Sequence, residues 1–253
     1  GLSWPNVHIP TRHDLTGFSH GTAGIAHALL ELYVASGKET YKQAADGAID
    51  YETSWFDPRA ENWPDLRATS DPIKFPAERT FATYWCHGAP GIAVSRLRAF
   101  ELLGTGRYLE EATLALRTTM RSLQAACDVP SSNFCLCHGI AGNAEILRYG
   151  AEVLRATGNP TADADAELCE GATARAARCG LDRYASNSRD LGWPCGDVDI
   201  PSATPIQPGS RDPDADRYAI QPGLMTGLAG IGLFYLRLYD DRIPSVTAPR
   251  RSE

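Results

Sequence analysis

Apolar residues return at helical spacing four times along the chain, each time just after the same small-residue phrase, Gly-x-x-Gly. After Gly21 and Gly24 come Ile25, Leu29, Leu32 and Tyr33, at i, i+4, i+7 and i+8 of one helical face. After Gly88 and Gly91, Ile92, Arg96, Ala99 and Phe100 hold the same phase, with Val94 and Leu97 beside them. Ile146, Tyr149, Val153 and Leu154 follow Gly139 and Gly142, and Leu233, Leu236 and Leu238 follow Gly227 and Gly230. Three of the runs close on a glycine stop signal, at Ser36-Gly37, Leu103-Gly104 and Thr157-Gly158. Further helical stretches lie between them over 41–55, 108–126 and 164–179. The leading glycines stand 67, 51 and 88 residues apart, room for a pair of helices per unit. Strand-like alternation is scarce. Two proline-rich segments, 57–81 and 187–222, resist helix and read as loops inserted between repeats. The pattern predicts an all-α chain built from helix pairs.

Composition narrows the picture without altering it. A chain of 253 residues, 43% hydrophobic and 22% charged, has the length and apolar content for one large domain. A net charge of −7 argues against a nucleic-acid partner and in favour of a small molecule or a peptide. The seven cysteines form no disulfide framework, and neither a signal peptide nor a membrane-length apolar run is visible, so a cytoplasmic protein is expected. The chain starts at Gly1 rather than at Met, which suggests a piece excised from something longer.

The chemistry concentrates in a dipeptide that occurs twice. Cys86-His87 and Cys137-His138 each open the phrase Cys-His-Gly-x-x-Gly, which places two thiols and two imidazoles at one phase of the repeat. Sulfur and nitrogen donors together suit zinc. Two arrangements are open: a closed Cys2His2 structural site, or three protein ligands with a fourth position left for water or substrate. His20, within one residue of the same place in the first repeat, lacks a neighbouring cysteine and reads as an acid/base group. Cys127, Cys135, Cys169, Cys179 and Cys195 read as small buried hydrophobes, and His8, His13 and His27 as surface or core residues. Gly227-Leu228-Ala229-Gly230-Ile231-Gly232 has its glycines in the wrong order for a dinucleotide loop, and no strand precedes it. Asn62-Trp63-Pro64-Asp65-Leu66-Arg67 is either a loop folded by its Asp/Arg pair or part of a substrate wall.

Together these phrases resemble the lanthionine synthetase C-like cyclases. The match extends over Leu15-Thr16-Gly17-Phe18-Ser19-His20-Gly21, the Asn62–Arg67 phrase, the two Cys-His-Gly phrases and 222–232, in the family's order and across nearly the whole chain. It is nearest to the carboxy-terminal cyclase domain of the class II lanthipeptide synthetases (LanM type). The resemblance implies an α/α toroid, a double α-barrel of inner and outer helices, with residues 1–253 forming its C-terminal portion of about four repeats. It implies one zinc ion on Cys86, Cys137 and His138, His20 as the proton-transferring residue, and His87 beside the metal but not on it. The implied reaction adds a peptide cysteine thiol to dehydroalanine or dehydrobutyrine and forms a thioether ring. The implied partners are a dehydrated precursor peptide and an upstream dehydratase domain in the same polypeptide. The alternative is a non-cyclising zinc protein that binds the thiol of glutathione or of a peptide.

Overall fold

A steric reason common to all four Gly-x-x-Gly phrases makes each of them open a helix. The second glycine of each copy (Gly24, Gly91, Gly142 and Gly230) lies over the carbonyl oxygen six residues earlier, on Phe18, Trp85, Leu136 and Leu224. A Cβ there would come closer to that oxygen than side chains ever approach, so the chain turns sharply into its helix only with glycine. The computed structural model describes residues 1–7, 11, 13–67, 80–129, 132–185, 192–196 and 221–250. Among these are seven α-helices: α1 Thr22–Ser36, α2 Glu39–Ser54, α3 Ala89–Leu103, α4 Gly106–Asp128, α5 Ile140–Ala156, α6 Pro160–Gly180 and α7 Leu228–Tyr239. A single π-helical turn, Leu181–Ala185, extends α6. The described residues contain no strand, only isolated bridges between Asp57 and Asn62 and between Thr83 and Gly88.

Helices pair as the spacing anticipates: α1 with α2, α3 with α4 and α5 with α6. The helices that follow the glycine phrases, α1, α3, α5 and α7, pack on one another in succession as an inner layer, and the others lie outside them. The result is an arc of an α/α toroid with four inner helices, the expected fold class. Gly37 and Gly104 end α1 and α3 in the left-handed conformation, φ 68° and 67°, and return their N–H groups to the carbonyls of Tyr33 and Phe100. None of the described helices is long and apolar enough to cross a membrane.

Two of the four expected apolar stripes are the wrong faces. In α1 the buried residues are Ala23, Ala26, His27 and Leu30, while Leu32 is exposed and Ile25 and Leu29 are only half-buried. α1 meets α2 and α3 through its small residues, and the bulkier side borders an open cleft. In α7 the buried stripe is Ile231, Phe234 and Arg237, and Leu236 and Leu238 face outward. The stripes of α3 and α5 are buried as expected, because both helices are enclosed almost all round. Phe134, just before the third phrase, centres an aromatic cluster with Trp193, Phe234 and Tyr235 that ties α7 to the rest.

The segment after α7 crosses the inner helices as a strap. Its Thr247 carbonyl accepts from Trp85 Nε1 at 2.7 Å, its Pro249 carbonyl lies 3.0 Å from His27 Nε2, and Arg250 reaches Glu152 at 2.8 Å. Thr247 and Ala248 are thereby buried.

Candidate metal and proton-transfer site

A main-chain relay aligns the four phrases. The N–H of Ser19 donates to the carbonyl of Cys86 (3.2 Å), that of Cys86 to Cys137 (3.3 Å), and that of Cys137 to Met225 (2.8 Å). These four residues all stand two places ahead of their leading glycine. Ser19, Cys86, Cys137 and Met225 are therefore equivalent positions, and so are the residues next to them, His20, His87, His138 and Thr226. The sequence reading set His20 within one residue of the cysteines; the relay makes it the counterpart of His87 and His138.

The relay brings the two cysteine side chains together. The thiols of Cys86 and Cys137 hydrogen bond to each other, and Cys137 also bonds the imidazole of His138. Its contacts with Cys86 and then His138 hold the Cys137 thiol down to about 5, against the effect of burial. Cys86 is pushed far above its ordinary value, first by the Cys137 thiol and then by burial. Burial opposes the charge on His138, but the thiols of Cys135 and Cys137 raise it to about 10. The contacts thus favour the charged forms of Cys137 and His138 and the protonated form of Cys86. His138 Nε2 lies 2.5 Å from the carbonyl of Gly196, so Nδ1 is the ring nitrogen that remains for the thiols.

His20 is exposed at the mouth of this cluster, and its ring stacks on that of His87 with centroids 5.4 Å apart. It borders a 690 Å³ cleft walled by Phe18, Trp85, Leu29 and Leu32. His87, expected beside the metal, is only 1% exposed. Burial pushes it down to about 4, against the Asp65 carboxylate, so it is neutral. One ring nitrogen meets the Thr16 carbonyl, and Nε2 is buried without a hydrogen-bond partner among the described residues.

Among the described residues no group of three or more His, Cys, Asp or Glu side chains converges on a common point as metal ligands do. The donor types nonetheless fit a zinc ion: two thiols already in contact and an imidazole on one of them.

In the Asn62–Arg67 phrase, Asn62 has a structural role. Asn62 Oδ1 accepts from the N–H groups of Trp63 and Ala89, both at 2.8 Å, and its Nδ2 donates to the Ala82 carbonyl at 3.0 Å. It caps α3 from a distant loop, since Gly88 has no side chain for the task. Asp65 and Arg67 pair at 2.7 Å, as expected. Asn62→Ala is expected to cost about 1–2 kcal/mol, read as a lower midpoint in urea unfolding.

Sequence reasoning missed Glu52, because a glutamate within an amphipathic helix reads as solvent-facing. It is completely buried, its Oε1 accepts from Gly17 N–H at 3.1 Å, and its Oε2 has no partner. Gly17 itself, at φ 99°, lies against the backbone of Cys86 and His87, so Glu52 fastens the segment that carries His20. Burial pushes Glu52 up to about 8 despite the Arg96 guanidinium and the N–H groups of Gly17 and Ala23, with Glu111 adding to the rise. Between 4.5 and about 8 the folded chain therefore keeps a proton that the unfolded chain has released. Stability should fall as pH rises through that window, by about 1.4 kcal/mol per pH unit from this group. Glu52→Gln is expected to flatten that slope in urea titrations at pH 5 and pH 8; an unchanged slope would remove Glu52 as its source.

Comparison with known proteins places the chain. The profile of the lanthionine synthetase C-like protein family matches residues 1–192, and the chain belongs to that family. It is 28% identical over 145 residues to the lacticin 481/lactococcin biosynthesis protein LcnDR2 of Lactococcus lactis subsp. lactis, a match covering 55% of this chain and 14% of the relative. It is 24% identical over 133 residues to the glutathione S-transferase LANCL1 of Danio rerio, covering 53% and 29% respectively. The chain thus spans well under half the length of either curated relative. Among solved structures nisin cyclase aligns with a TM-score of 0.46 at 21% identity, over 65% of this chain and 40% of that one.

Proposed function

We propose that this chain is the zinc-binding part of a lanthipeptide cyclase, in which Cys86, Cys137 and His138 hold one zinc ion and His20 moves the proton. The observation that carries the reading is the main-chain relay, which sets two thiols in contact with an imidazole on one of them and a second, exposed imidazole at the same mouth. Family membership supports it, as does similarity to a protein named for lacticin biosynthesis. Zinc, when bound, would hold a substrate thiol as thiolate at neutral pH.

The chain's own residues account for the remaining work. The cleft beside His20, walled by Phe18, Trp85, Leu29 and Leu32, would seat a peptide against apolar surface and exclude water. The sulfur electron pair attacks the β-carbon of the dehydro residue, a C–S bond forms, and the π pair moves onto the α-carbon and carbonyl as an enolate. Protonated His20 then delivers its proton to the α-carbon, which completes the thioether. Neutral, buried His87 backs the His20 ring. The substrate would be a precursor peptide already dehydrated by a dehydratase domain of the same polypeptide.

A second reading draws on the similarity to a protein named as a glutathione S-transferase: zinc would hold the thiol of glutathione or of a peptide without closing a ring. One experiment separates the two. The native polypeptide containing this chain is incubated with a dehydrated precursor peptide, and the product is alkylated and weighed by mass spectrometry. Loss of alkylatable thiol at unchanged peptide mass is the expected result. A full complement of free thiol, with zinc bound, would favour the second reading.

A further inference from the structure

Beyond α7 the strap closes a cavity of 920 Å³ against α5, α6 and α7, and this cavity shares no lining residue with the thiol site. Five arginines and three carboxylates line it, in a chain whose net charge is −7. Three of the arginines are engaged: Arg237 with Glu145 at 2.7 Å, Arg242 with Asp240 at 2.8 Å, and Arg250 with Glu152 at 2.8 Å. Glu170, on the opposite wall, is held by Arg155 at 2.7 Å.

The other two arginines are less fully engaged. The Arg178 side chain makes no hydrogen bond or ion pair among the described residues. Arg148 comes no closer to a carboxylate than 3.9 Å, at Glu145, and its Nη1 is buried with no hydrogen-bond partner. Guanidinium N–H groups left in this way call for an acceptor, and their planar fork matches the paired oxygens of a carboxylate or a phosphate. Between them the floor is apolar, formed by Ala151, Ala174, Ala177 and Leu238. The volume is that of a pocket for a small organic ligand.

We propose that this cavity is a second binding site, in which Arg148 and Arg178 hold a small ligand that carries an oxyanion on an apolar body. Asp241 on the same wall leaves little uncompensated charge, which suits a single anionic group rather than a polyanion. The proposal uses neither zinc nor ring closure, so it stands apart from the cyclase reading.

Calorimetric titration of the native polypeptide with N-acetyl-leucine, with its neutral amide, and with inorganic phosphate tests it. Saturable binding of N-acetyl-leucine or of phosphate, with none of the amide, is expected. Binding of N-acetyl-leucine alone assigns a carboxylate ligand, and binding of phosphate alone a phosphoryl ligand. Arg148→Met and Arg178→Met should each weaken binding tenfold or more, while Arg242→Met, whose guanidinium already faces Asp240, should leave it unchanged. Arg178 is exposed on α6, so its variant keeps the fold and serves if Arg148→Met does not. Absence of binding by both anions, or binding indifferent to Arg178→Met, overturns the proposal.

Discussion

Cys137→Ala in the native polypeptide is expected to release the bound zinc and to slow thioether formation by about a hundredfold or more. Cys137 is the donor most central to the proposed site, since its sulfur touches Cys86 on one side and His138 on the other. Its N–H and carbonyl carry two links of the relay, and alanine keeps both. The variant therefore removes a sulfur without removing the scaffold, and far-UV circular dichroism should be unchanged. Zinc is measured by elemental analysis of the purified protein and ring closure by thiol alkylation. The control is Cys169→Ala, a fully buried cysteine between α4 and α6. It should lower stability and leave zinc content alone. Retention of one zinc per chain in Cys137→Ala would sink the three-ligand assignment.

Arg96→Met is expected to cost about 3–5 kcal/mol of folding stability, the range for breaking a buried ion pair from one side. Arg96 is wholly buried in α3; its Nε bonds Glu111 of α4 at 2.6 Å, and its Nη2 reaches the Ile49 carbonyl of α2 at 3.4 Å. It also offsets the charge of the buried Glu52 carboxylate. Methionine matches the stem in volume but leaves Glu111 with only the Thr53 hydroxyl and a 3.7 Å contact with Arg107, and Glu52 loses the cation that favours its ionised form. Urea unfolding at pH 7 measures the loss. The loss should grow above pH 8, where Glu52 can ionise in the folded chain only while Arg96 faces it; a loss equal at pH 7 and pH 9 would argue against coupling between the two groups.

The fold class and the repeat were legible in the sequence because two independent signals coincide at each copy: a glycine pair that only a tight turn requires, and a helical apolar pattern directly behind it. The faces were less legible. α3 and α5 are enclosed on nearly every side, so any stripe drawn on them is buried. α1 packs through Ala23 and Ala26, and α7 through Phe234 and the stem of Arg237; neither is the most apolar line on its helix. Arg96 could be placed on the buried stripe of α3, but its ionic partners could not, since Glu52 and Glu111 lie on other helices and look solvent-facing there. The Asn62 cap shows the same limit: it satisfies a helix that begins 27 residues later, and no local pattern announces such a contact. The expectations for 68–79, for His8 and for most of 187–222 fall outside the described residues.

The relay has one more consequence. Because the four equivalent positions are joined through main-chain atoms, the side chain at each is a removable fitting on a fixed frame. The chain itself shows the range tolerated there, with Ser19, Cys86, Cys137 and Met225 at a single structural address. A change of side chain at any of them leaves the atoms that make the main-chain links in place. In the proposed zinc site, the hardness of the donor set, and with it the choice of metal, could therefore drift one residue at a time while the main-chain links stay in place.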